Sequence, residues 1–211
     1  MFGVAIASSS PAVAARCAHA RTGAGAVATQ NITDPALGPQ ILNRLNMGVG
    51  AQAALDNALQ GTPFGAYRQL IVVGREGTPA VHSGEHALGV VGSAISAHAG
   101  AAGNLLAQAS VPAAMVAAFD VATGHFAACL LQALRAGVAA GGEAGPIHSA
   151  GLLVVREVSW PIVDLRVDWT EGDPVAALAG LWERYEPQLE DYVRRAIDPA
   201  AAPSFGVPGD R

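Results

Sequence analysis

The stretch PIVDLRVDW, residues 161–169, sets Asp164, Arg166 and Asp168 two apart, with Val163, Leu165 and Val167 in the alternate positions. A strand sends successive side chains to opposite faces, so one face carries a guanidinium between two carboxylates and the other is apolar. Flanking carboxylates would aim the arginine fork at a carbonyl or carboxylate oxygen. Arg166 and Asp164 are therefore candidate substrate-binding groups and Asp168 a candidate catalytic carboxylate. The same pattern also suits a solvent-facing ladder or an interface network. A compact Mg²⁺ or Ca²⁺ cage is not expected, because alternate side chains on a strand stand roughly 7 Å apart along its axis.

A second group of candidates surrounds a flexible loop. GGEAGPIHS places Glu143 and His148 where either can transfer a proton to or from a substrate. His148 and Ser149 are adjacent on a strand and point to opposite faces, so they do not form a base and nucleophile pair. Asn104 follows Gly103 and offers its amide as an oxyanion donor or as a helix cap. Gln30 and Asn31 leave a strand beside a helix start and can bring further amides to one cleft. His19, His82, His86, His98, His125 and His148 show neither HExxH nor a Cys/His cluster, and no glycine-rich segment carries the lysine of a phosphate loop. No metal and no cofactor are expected.

The elements that must position these groups follow from periodicity. MFGVAIASSS alternates Phe2, Val4 and Ile6 with small residues and reads as a strand running into a serine turn. TGAGAVATQ is a second strand. NITDPALGPQILNRLNMG, with Thr33 or Asp34 as cap, and AQAALDNALQG, stopped by Gly61, are helical. RQLIVVG and TPAVHSG flank the turn GREG as a hairpin. From residue 104 to about 134 the pattern is helical, with Ser110 as a cap and a second segment, HFAACLLQALRAG, ending near Gly137. SAGLLVVREV and PIVDLRVDW are strands. A last helix starts on the cap Asp173 and runs through Tyr192. Helices grouped between blocks of strands favour stacked antiparallel sheets with helices outside over a doubly wound parallel sheet.

Composition narrows the class of function. Of 211 residues, 51 % are apolar but only 5 % aromatic, which calls for closely spaced layers with small side chains between them. Charged residues make up 14 %, leaving apolar surface to be hidden in a homo-oligomer. A net charge of −5 without a run of Lys or Arg gives a nucleic acid nothing to neutralise its phosphates. The longest apolar run, GVVGSAISAHAGAAGNLLAQASV, is broken by Gly, Ser, His and Asn and is not lipid-like, so no membrane partner is expected. Cys17 and Cys129 read as isolated buried thiols. The opening residues resemble neither a secretory leader nor an acylation site, and a cytoplasmic location is expected.

Taken in order, GAGAVATQNITDPALGPQIL, GNLLAQ, GGE with HSAGLLVV, and DLRVDW before DPVAAL resemble the uncharacterised bacterial family DUF1028. The resemblance runs from Gly3 to about Tyr185. It implies a place in the N-terminal nucleophile (Ntn) hydrolase superfamily and an α+β fold, a four-layer αββα sandwich with antiparallel sheets, over residues 1–198, followed by an irregular tail at 199–211. Members of that family usually open with a Thr-Phe-Ser-Ile strand before the strand matching Gly3 to Ile6. They often carry Gly-Gly-Asp, Arg-Gly and Gln-Ser-Ala where this chain has Gly141, Gly142 and Glu143, then Gly145, Pro146 and Ile147, then His148, Ser149 and Ala150.

Ntn chemistry uses a terminal Thr, Ser or Cys whose own α-amine acts as base. Met1 and Phe2 cannot supply it, and the serine run reads better as a turn than as a processing site. A catalytically competent chain is thus expected to begin earlier. The resemblance implies an amidase-type hydrolase of a small amide or imide, with Gln30, Asn31, Asn104, Glu143, His148, Asp164, Arg166 and Asp168 as candidate site residues. The alternative is a non-catalytic binding or assembly protein of the same fold. Arg166 is expected to project into the pocket, within reach of Glu143 or Asn104.

Overall fold

A computed structural model describes residues 1–206. Strand β1 (Phe2–Ser8) is followed by a short helix α1 (Val13–Cys17) and strands β2 (Ala18–Arg21) and β3 (Gly25–Asn31). Helices α2 (Leu37–Asn46) and α3 (Ala51–Gln60) precede the hairpin of β4 (Arg68–Gly74) and β5 (Ala80–Ser83). Then come β6 (Gly92–Ile95), β7 (Gly100–Gly103), α4 (Val111–Val121), α5 (Phe126–Ala139), β8 (Ser149–Val155), β9 (Pro161–Val167), α6 (Pro174–Tyr185) and α7 (Leu189–Ile197). The sheets run β1-β8-β9, β2-β3-β4-β5 and β6-β7, with every pairing antiparallel. The protein is a mixed fold of helices and antiparallel sheets.

Period-two alternation gives β3 apolar side chains on both faces and β8 an apolar face under the helices. On β3, Val27 joins Leu70 and Val72 of β4 beneath Ile41, Leu42 and Leu45 of α2 and Leu55 of α3. Ala26 and Ala28 face the other way, onto Val4 and Ile6 of β1. On β8, Leu152 and Val154 join Ile162 of β9 beneath Leu131 and Leu134 of α5 and Leu178 and Trp182 of α6. Burying each such aliphatic side chain contributes about 1.5–3 kcal/mol, which ties the helices to their sheets. Small residues set the spacing. A Cβ on Gly151 would stand 2.3 Å from Ala14 Cβ, so only glycine lets α1 lie on β8.

Several expectations are corrected. Residues 104–110 are not helical: Asn104 follows β7 and caps no helix, and helix starts at Val111 with Ser110 making no side-chain cap bond. The last helix breaks into α6 and α7 around a single 3-10 turn, Glu186–Gln188, because Pro187 has no N–H to continue the ladder. Asp173 caps α6 as expected, accepting from Val175 and Ala176. Asp34 accepts from Ala36 N–H ahead of α2 rather than at its N-cap, which is Ala36. Elements α1, β2, β6 and β7 have no counterpart in the periodicity reading. Both cysteines are free and buried, and among the described residues no helix is long and apolar enough to cross a membrane. Of the tail, residues 207–211 lie outside the described residues.

Candidate functional site

A cavity of about 600 Å³ runs along β1, between the floor formed by β3 and β4 and the roof formed by α4 and α5. That volume is ordinary for a small-molecule site. Its far wall is β7 and the segment after it. Four of the sequence-derived candidates meet at one end: Gln30, Asn31, Asn104 and Glu143 all line it.

Gln69, on β4, organises that end and was not anticipated. It is fully buried, and its Oε1 accepts from Gln30 Nε2 at 2.7 Å and from Asn104 Nδ2 at 3.2 Å. Its own Nε2 donates to Ser83 Oγ at 2.9 Å and to the Gly103 carbonyl at 3.0 Å. A carbonyl only accepts, so the Gly103 contact fixes which end of the Gln69 amide points there. The second Gln30 hydrogen goes to the Ala102 carbonyl at 3.0 Å. Both Gln30 hydrogens are then engaged and, among the described residues, its Oε1 is left to accept, while Asn104 keeps one N–H and its Oδ1. A glutamine directly ahead of the apolar run LIVV was the available signal, since a buried amide must find partners.

Glu143 arrives by a different device. Gly141 and Gly142 at the end of α5 adopt φ of 114° and 59°, left-handed values that reverse the chain and that a side chain would strain. Glu143 bridges to Leu106, two residues beyond Asn104. The Ser9 N–H donates to Glu143 Oε2 at 3.0 Å, and the Ser9 hydroxyl donates to Oε1. The serine turn is itself pinned by Ser149, fully buried, whose Oγ donates to the Ser10 carbonyl at 2.6 Å and accepts from Val13 N–H at 3.3 Å. Ser149 is thus structural. Asn31, at φ 73°, ties the Tyr67 carbonyl to the Leu88 amide and holds the loop at the cavity mouth. Cys17 also lines the cavity, but burial pushes its thiol pKa up and keeps it protonated.

The remaining candidates stand elsewhere. Arg166 and Asp164 line a separate cleft of about 370 Å³ together with His19 and Arg21. Arg166 closes its fork on Asp168, Nε to Oδ1 at 3.2 Å and Nη2 to Oδ2 at 3.0 Å, and the hydrogen-bonded carboxylate raises the guanidinium pKa. His148 sits at the β8 and β9 ends, where its Nδ1–H donates to the Thr170 carbonyl at 2.8 Å and its ring stacks on Trp169 at 4.2 Å. Burial lowers the His19 pKa, outweighing its bond to the Arg16 carbonyl. Among the described residues no group of three metal-ligating side chains gathers.

Residues 1–178 match the family model described as "Family of unknown function (DUF1028)". The chain belongs to the DUF1028 family. A crystal structure of another DUF1028 protein, SPO2555 from Silicibacter pomeroyi, is similar at 30 % identity and a TM-score of 0.83, over 92 % of this chain and 87 % of that one. No curated protein matches. The elements that build the cavity, β1, β3, β4, β7, α4 and α5, all lie within the matched residues.

Proposed function

We propose that this DUF1028 protein hydrolyses the C–N bond of a small amide or imide at the polar end of the cavity, on a four-layer αββα fold of the Ntn type. The observation that carries the reading is that Gln30 and Asn104, both held by the buried Gln69, share one cavity lining with Glu143. The layer order is supported by three apolar clusters: one under α2 and α3, one between β1 and β3, and one under α5 and α6.

In this reading a water attacks the substrate carbonyl carbon while Glu143, oriented by Ser9, takes its proton. The uncommitted Asn104 N–H donates to the oxygen that becomes negative. Gln30 Oε1 accepts the substrate N–H. Collapse of the tetrahedral species breaks the C–N bond, and the proton on Glu143 passes to the leaving nitrogen. Phe2 stands at the opposite end of β1 from Ser8, about 20 Å away at strand rise, so the amine of Met1 is no base for this end. His148, Asp164, Arg166 and Asp168 take no chemical step here. Exposed apolar residues such as Val121 and Met47 support the proposed homo-oligomer.

Screening small amides, cyclic imides and acylated amino acids tests the reading. Glu143→Gln should lower kcat on any substrate found by about 10²–10⁴-fold, the range for losing a general base. No turnover by the wild type, or full activity in the variant, would overturn it. A non-catalytic binding role is the second reading, favoured by one observation: no Ser, Thr or Cys side chain that lines the cavity is hydrogen-bonded to Glu143 among the described residues.

A further inference from the structure

The cavity has the shape of an extended strand. A sheet face contributes every second residue to a surface, yet six consecutive residues of β1, 3–8, line this space. What the cavity meets is therefore the edge of β1. That edge is open, because β1 pairs only with β8. In an antiparallel pair every second residue turns its N–H and C=O away from its partner. Among the described residues the backbone of 3–7 makes no hydrogen bond beyond those to β8. Backbone groups so placed are obligatory donors and acceptors, and leaving one unmatched in a buried setting costs about 1–3 kcal/mol.

The other walls agree. Eight consecutive residues, 99–106, form the opposite side, so β7 also presents an edge. Gln30 and Gln69 already take the Ala102 and Gly103 carbonyls, which leaves β1 as the edge with pairing to offer. Below lie Ala26 and Ala28, and above lie Leu130 and Leu134. An occupant is thus apolar on both faces, with larger side chains over the alanines. Six residues at strand rise span roughly 17 Å, room for five or six extended residues. One end is marked by charge: the Glu143 carboxylate stands beside Ser8 and Ser10 with no cation bonded to it among the described residues, and Arg16, the other charged side chain of the lining, is turned to the Pro11 and Ala12 carbonyls.

We propose that this slot binds an extended apolar peptide strand of five or six residues, hydrogen-bonded antiparallel to β1, with its free amino terminus at Glu143. Direction follows from the charge. Since β1 runs from Phe2 toward Ser8, a strand that starts at the Ser8 end runs antiparallel to it. Main-chain pairing supplies the affinity and the two apolar faces supply the selection, the mode by which sheet edges take up peptides. The inference does not depend on the hydrolytic reading, since it concerns the slot and not the bond broken at its polar end.

The test titrates the full 211-residue chain with Ala-Ile-Ser-Val-Ala-Val-amide bearing a free amino terminus, by calorimetry and by amide hydrogen exchange. Binding is expected, together with slowed exchange at alternate amides of residues 3–7. N-acetylation of the peptide should weaken binding about tenfold through loss of the ammonium contact. Glu143→Gln should erase the difference between the two peptides. A peptide with proline at positions two, four and six, which lacks those N–H donors, should not bind. Filling the floor with Ala28→Trp should abolish uptake, and its circular dichroism and melting show whether it is folded. Absence of binding by the first peptide, equal binding by the proline peptide, or binding without protection of residues 3–7 would each overturn the proposal. Mass spectrometry of the recovered peptide reports hydrolysis separately, so failure of the hydrolase reading leaves this result standing.

Discussion

The two clefts of this molecule hold polar groups in opposite ways. At the end of the large cavity, Gln30, Gln69, Asn104 and Glu143 come from four separate segments and are held by bonds that reach 35 to 134 residues along the chain. In the small cleft, Arg166 is neutralised by Asp168, two residues along and just past the end of β9, with side chains 38 % and 52 % exposed. The first arrangement exists only when the whole fold is in place and leaves uncommitted hydrogen-bonding atoms pointing into a cavity. The second would form in almost any strand and satisfies itself. Groups held by distant parts of the chain are those the fold positions for use.

Breaking the long-range network should cost most. Gln69→Leu removes the partner of Gln30 and Asn104 and leaves Ser83 Oγ and the Gly103 carbonyl without their donor. A loss of about 2–4 kcal/mol in unfolding free energy is expected by urea denaturation, since buried polar groups are left unmatched. A loss below about 1 kcal/mol would reduce the contrast between the clefts to one of appearance. Gly142→Ala comes next. At φ 59° the new side chain strains the turn that delivers Glu143, at about 1–2 kcal/mol, and any amidase activity should fall with it.

Arg166→Ala sharpens the comparison from the other side. An exposed pair of this kind contributes at most about 1 kcal/mol, so melting should barely move and turnover should be unchanged. A large loss of either would transfer the functional centre to the small cleft. The smallest effect is expected from acid. Burial holds the His19 pKa below the usual histidine value of about 6.5, so the folded state binds fewer protons than the unfolded one. Its contribution is complete above about 6.5 and is lost as pH falls through the lower folded value. The melting temperature of the wild type should therefore drop more steeply between pH 7 and 5 than that of His19→Gln.

Four of the cavity's polar residues were legible because each stands at the end of an element: Gln30 and Asn31 end β3, Asn104 follows a glycine, and Glu143 follows two. Element ends are where side chains escape the core. Gln69 and Ser9 were missed for the converse reason, since their roles depend on partners 35 and 134 residues distant, respectively, that periodicity does not reveal. The alternation through Asp164, Arg166 and Asp168 was visible, but the cleft they face depends on packing between sheets. Strands β6 and β7, GSAI and GAAG, carry almost no β-branched or aromatic residue and so give no strand signal. Helix α1 is five residues long, too short for a helical period to show.

The pairing of β1 with β8 also sets an order of events during synthesis. Phe2 lies opposite Val155 and Ser8 opposite Ser149, so β1 lacks this sheet partner until β8 has left the ribosome. At about 5–20 residues per second that wait lasts roughly ten to thirty seconds. Throughout it Val4 and Ile6 are apolar residues on a strand whose β8 edge is bare. That interval is when this strand is most exposed to pairing with the wrong edge.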